Sequence, residues 1–178
     1  MAFKLAGSLN PHGGPLLRRF VAGNSIQVTE TDSVRTTDVG FALGVATSAV
    51  LGHVKAIVTR EGVGVSSDGT AGASFGSFAG TFTFASNNQL STVRNGADID
   101  ISQQTLYSAD PDVAIGTTVG NPSSTAVGVY FDLQDEAQID ESSVVATAAQ
   151  YHSWGIDPED SGNVIVNIFE SSVFTSTV

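Results

Sequence analysis

The chain has 178 residues, 41% of them hydrophobic, a formal net charge of −11 and no cysteine. That length allows one domain with a sizeable core, and the missing cysteines exclude a disulfide framework, a thiol nucleophile and a thiolate metal site. Thr, Ser, Val and Gly dominate while Leu, Lys, Glu and Arg are scarce, a mixture suited to strands and turns rather than helices.

The charge is unevenly placed. All seven Lys and Arg and five of the eighteen acids lie in residues 1–94, which therefore carry +2, whereas residues 95–178 hold thirteen acids and carry −13. So acidic a half cannot neutralise phosphates, which argues against nucleic acid as a partner. No apolar run reaches the ~18 residues of a membrane-spanning helix. The start, MAFKLAGSLNPHGG, has no apolar signal core, so synthesis in the cytoplasm and no membrane partner are expected.

In chain order, residues 1–20 read as an arm. Asn10, Pro11, Gly13, Gly14 and Pro15 interrupt regular structure, while Phe3, Leu5, Leu9, Leu16 and Leu17 supply apolar contacts and Lys4, Arg18 and Arg19 positive charge. A β domain over 21–178 is expected to follow. Ile26 and Val28 alternate with Gln27 and Thr29; a polar TETDSVRTTD connection leads to VGFALGVA; Val54, Ala56 and Val58 alternate with Lys55, Ile57 and Thr59. Short strands so spaced predict a barrel or sandwich. Residues 67–79, SDGTAGASFGSFA, form a glycine- and serine-rich loop without the lysine of a phosphate cradle.

Thr81–Phe84 predicts a strand with both phenylalanines on one face and a turn at Asn87-Asn88. Next, Ala97, Ile99 and Ile101 alternate with Asp98 and Asp100, which puts both aspartates on a solvent face. Leu106–Val113 suggests a strand end and proline turn, and 120–124 another loop. In AVGVYFDL, Val127, Val129, Phe131 and Leu133 face one way; DEAQIDESS has room for one helical turn; Gln150–Ile156 reads as a strand. Asp157–Asn163 collects turn-forming residues, and Val164–Phe169, apolar on both faces, reads as a central strand.

Catalytic and metal chemistry find little purchase. His12, His53 and His152 are dispersed without zinc spacing, no GxSxG elbow is present, and the acidic loops match no EF-hand. Sugar binding would want exposed aromatic residues, whereas the single Trp154 and three tyrosines sit at β positions that suit packing. No catalytic residue, cofactor or metal is therefore assigned.

The block QYHSWGIDPEDSGNVIVNIFES, preceded by TLYSADPDVAIGTT and AVGVYFDLQDE, resembles the head decoration or cement proteins of tailed bacteriophages. The likeness is one of style over most of residues 20–170: cysteine-free, acidic, rich in Gly, Thr, Val and Ala, often with an N-terminal arm. It implies a protein on the exterior of an assembled capsid, often a trimer, that stabilises the shell against internal DNA pressure. The expected docking residues on the major capsid protein are Phe3, Lys4, Leu5, Leu16, Leu17, Arg18 and Arg19. A homo-oligomer also fits the two apolar faces of Val164–Phe169. The whole reading is an all-β barrel- or sandwich-like antiparallel domain with an extended N-terminal arm, not an enzyme. A tail or head-fibre component, a glycan-binding β module and a small hydrolase are the alternatives.

Overall fold

The computed structural model describes residues 3–38, 40–46, 48–58, 64–65, 71–72, 81–88, 94–112, 128–145 and 150–169. Among them are fifteen strands and no helix. They are β1 (Lys4–Ser8), β2 (Leu17–Val21), β3 (Gln27–Thr29), β4 (Ser33–Thr37), β5 (Gly40–Leu43), β6 (Gly52–Val58), β7 (Gly64–Val65) and β8 (Ala71–Gly72). The later ones are β9 (Thr81–Thr83), β10 (Gly96–Asp100), β11 (Thr105–Pro111), β12 (Tyr130–Leu133), β13 (Gln138–Val145), β14 (Tyr151–Ile156) and β15 (Val164–Ile168).

The all-β architecture is as the alternation predicts. Strands β11, β13, β12, β14 and β15 pair in that order, and β15 returns to β11, closing a five-stranded barrel. Only the β11–β13 contact is parallel. Closure leaves β15 flanked on both sides, the central strand that its two apolar faces imply. A second sheet runs β2-β10-β6-β4-β5, all antiparallel. Its two ends meet where Ala22 bridges Phe41, and the Gly23 N–H donates to the Phe41 carbonyl at 2.9 Å. Small ladders β3–β9 and β7–β8 complete the pairing among the described residues.

Each sheet has its own core. Val28, Val34, Phe41, Val54, Ile57, Phe82, Phe84 and Ile99 fill that of the second sheet. Tyr107, Phe131, Leu133, Ile139, Tyr151, Val164, Val166 and Ile168 fill the barrel. The inward residues are those that the period of two selects on β12 and β15. Gly52 shows how tightly β6 meets β10: a Cβ there would lie 2.1 Å from the Asp100 carbonyl oxygen.

Four expectations change. Residues 1–20 are more than an arm: β1 pairs with β11, β2 pairs with β10, and Phe3 is 1% exposed in the barrel core. An open strand edge leaves N–H and C=O groups unpaired, and these segments cover two such edges. The polar TETDSVRTTD stretch contains β4, where Val34 is buried and pairs with Leu43. DEAQIDESS forms no helical turn; it leads into β13, held between β12 and β11. Asp98 keeps partial exposure, but Asp100 is fully buried. The glycine- and serine-rich loop, apart from 71–72, and the 120–124 loop lie outside the described residues.

Candidate functional site

The N-terminal strands carry the most exposed apolar surface. Of eight exposed large hydrophobic residues among those described, five are Leu5, Leu9, Leu16, Leu17 and Val21. Strand β2 is exposed at every residue but Phe20, which packs against the core of its sheet. Its position is nonetheless rigidly set. Leu17 to Val21 pair with Asp100 to Gly96, the Leu16 N–H donates to Asp100 Oδ1 at 2.9 Å, and the Leu16 carbonyl accepts the Ile101 N–H at 3.0 Å.

The residues expected to dock separate into three kinds. Leu5, Leu16 and Leu17 are exposed, Leu17 at 47%. Arg18 is exposed and makes no ion pair with a described residue, while Lys4 lies only within 4.0 Å of Glu159, both largely in solvent. Arg19 is committed within the chain: Nε and a terminal nitrogen donate to the two Asp98 oxygens at 3.0 and 3.2 Å. Phe3 belongs to the interior. It stacks on Tyr151 at 5.1 Å between ring centres and meets His53 edge-on at 4.6 Å.

Phe3 covers a polar cluster where the two sheets join. His53, Asp100, Ser33, Tyr107 and Tyr151 are all fully buried. Nδ1 of His53 lies 2.8 Å from the Thr31 carbonyl, an acceptor only, so Nδ1 carries the proton and Nε2 accepts from the Tyr151 hydroxyl at 3.0 Å. The same hydroxyl is 3.1 Å from Ser33 Oγ. Asp100 accepts the Tyr107 hydroxyl at 2.6 Å and the N–H groups of Leu16 and Ser102. Gln150 joins the barrel to Val45 and Ser48, accepting the Leu133 N–H at 2.5 Å and donating to the Val45 and Ser48 carbonyls. Thr31 takes φ +71°, a strained value for a β-branched residue, and its hydroxyl donates to the Phe3 carbonyl.

Burial sets the titration of this region. It pushes His53 down to about 4 against the weaker opposing pull of its Thr31 contact. It raises Asp32 to about 7, although the Thr29 N–H bond works the other way. Both tyrosines are pushed up, Tyr107 by burial and then by the charge of Asp100, Tyr151 by burial. Histidine, acid and hydroxyls thus meet without forming a Ser–His–Asp triad: Asp100 bonds Tyr107, and His53 bonds Thr31 and Tyr151. Every one of these side chains is shielded from solvent, so the arrangement holds two sheets together.

Sequence reasoning misses this cluster because its five members lie on five separate strands, and no local spacing marks them. It also misjudged the aromatic residues. Tyr107 and Tyr151 do pack inside, but Trp154 and Phe169 are exposed on the barrel. Among the described residues no group of three or more His, Asp or Glu is placed to hold a metal ion. No helix there is long and apolar enough to cross a membrane. The chain matches no protein-family model, no curated protein and no solved structure.

Proposed function

We propose that this chain is a virion structural protein that binds the outer surface of an assembled phage capsid and stabilises it, without catalysis. The observation that carries the reading is the N-terminal segment: Leu5, Leu9, Leu16, Leu17 and Val21 are exposed, as is Arg18, on or beside strands that sheet pairing holds in place. A monomer rarely leaves such a concentration of aliphatic surface uncovered. The barrel strands β11 to β15 carry acids and no Lys or Arg, which suits a side turned to solvent, while exposed Arg18 suits one turned to the major capsid protein. A homotrimer would multiply weak contacts on a symmetric shell. The protein is made in the host cytoplasm and ends on the capsid exterior.

Deleting residues 1–20 is a poor test, because it removes β1, β2 and the Phe3 ring from the core. Leu16→Asp with Leu17→Asp leaves the pairing in place and spoils only the exposed face. Co-sedimentation with decoration-free heads is expected for the parent protein and lost in the double variant. Equal binding by both proteins, or by neither, overturns the reading. Light scattering tests the oligomer; a strict monomer at micromolar concentration contradicts the trimer.

A further inference from the structure

A row of four rings crosses the outside of the barrel. Phe169 lies 4.6 Å from Tyr130, Tyr130 5.1 Å from His152, and His152 4.9 Å from Trp154, centre to centre. The ladder produces the row: Tyr130 pairs with His152, and His152 with Asn167, so their side chains share the outer face of three neighbouring strands. A bulge between Ser153 and Gly155, with Gly155 at φ +120°, bends β14 beside Trp154.

The row is held still. The Trp154 Nε1–H donates to Asn167 Oδ1 at 2.7 Å, Asn167 Nδ2 donates to the Gln103 carbonyl at 2.6 Å, and Gln103 Nε2 donates to the Phe169 carbonyl at 2.8 Å. Trp154 and Phe169 are nevertheless 44% and 46% exposed, one at each end. An indole fixed by a buried amide and left open to water is preorganised for a ligand.

Chemistry narrows that ligand. The row has aromatic faces, the Tyr130 hydroxyl and the His152 ring nitrogens, none of these polar atoms hydrogen-bonded to a described residue. Its own side chains include no carboxylate, lysine or arginine. Residues 95–178 contain no Lys or Arg and thirteen acids, so an anionic ligand is repelled from this half. The acids of this half, Asp132 beside Tyr130 among them, would also draw a cation, but a cation makes no use of the row's hydroxyl and ring-nitrogen edges. The ligand that uses both faces and edges is an uncharged molecule with C–H faces for the rings and hydroxyls for the polar edges. We infer that Phe169, Tyr130, His152 and Trp154 form a binding site for a neutral oligosaccharide, separate from the N-terminal docking face.

Trp154 is the chain's single tryptophan, so its fluorescence reports on this site alone. The full chain is titrated with cellohexaose, maltohexaose and chitohexaose, with tetramethylammonium and heparin as charged comparisons. The expected result is a saturable change with at least one neutral hexasaccharide at up to about 1 mM. Phe169→Ala and Asn167→Ala should each weaken it by about tenfold, with thermal melts confirming folded variants. Trp154→Ala, followed by calorimetry, should abolish it, and Leu16→Asp with Leu17→Asp should leave it intact while losing head binding. The inference is overturned if no neutral hexasaccharide gives saturation, if only a charged probe does, or if the Phe169 and Asn167 variants bind as the parent does.

Discussion

The core enclosed by β2, β10, β6, β4 and β5 and the core of the barrel are built from different materials. In the first, Phe41, Phe82 and Phe84 meet edge to face among valines and isoleucines. In the second, Tyr107 and Tyr151 turn hydroxyls toward Asp100 and His53 at the junction. Apolar packing is non-directional and degrades gradually as atoms are removed. A buried polar network is directional, and removing one member leaves its partners unsatisfied in a dry environment. The first core therefore supplies bulk stability, and the junction fixes how the two sheets meet.

The largest effect should come from breaking the junction. Asp100→Ala orphans the Tyr107 hydroxyl and the Leu16 and Ser102 N–H groups, and should cost about 4 kcal/mol in urea unfolding. Ile57→Val in the apolar core should cost only about 1 kcal/mol; similar losses for the two would erase the distinction. Phe3→Ala comes next, at about 3 kcal/mol, and should speed hydrogen exchange at Lys4–Ser8, since the ring anchors β1. Unchanged exchange there would mean that β1 is held by its ladder alone.

The pH response sharpens the comparison further. Asp32, raised to about 7 from 3.8, favours folding fully below pH 3.8, and that contribution is lost as pH climbs through 7. His53, lowered to about 4 from 6.5, favours folding fully above pH 6.5, and that contribution is lost as pH falls through 4. Between about pH 4 and 6.5 the two slopes oppose each other. Asp32→Asn should therefore make stability rise more steeply with pH than in the parent, and His53→Gln should tilt it the other way. Parallel profiles for all three proteins would contradict the assigned shifts. The smallest effect belongs to Arg19→Ala, less than about 1 kcal/mol, because the Arg19 side chain in its pair with Asp98 lies largely in solvent.

Much of the fold was legible in the sequence for a simple reason: a strand with one buried face writes its own period. Phe131 and Leu133, Val164, Val166 and Ile168, and the Asp157–Asn163 turn stand where alternation and turn chemistry put them. What escaped was set by distant parts of the chain. Asp100 looks solvent-facing on its own strand, but Tyr107 and the Leu16 amide enclose it. Residues 4–8 and 17–20 look like an arm until the edges of β11 and β10 are known. Ser33-Val34 reads as connection because polar neighbours hide the one inward valine. The aromatic row was hidden for the same cause: Tyr130, Trp154 and Phe169 come together only through the register of three strands.

The proposed capsid role rests on orientation, and an electron cryomicroscopy reconstruction of decoration-free heads incubated with the protein tests that directly. Density is expected on the outer shell with β2 against the capsid and the acidic barrel pointing outward. Heads without added density, or with the barrel seated on the shell and β2 in solvent, would contradict it.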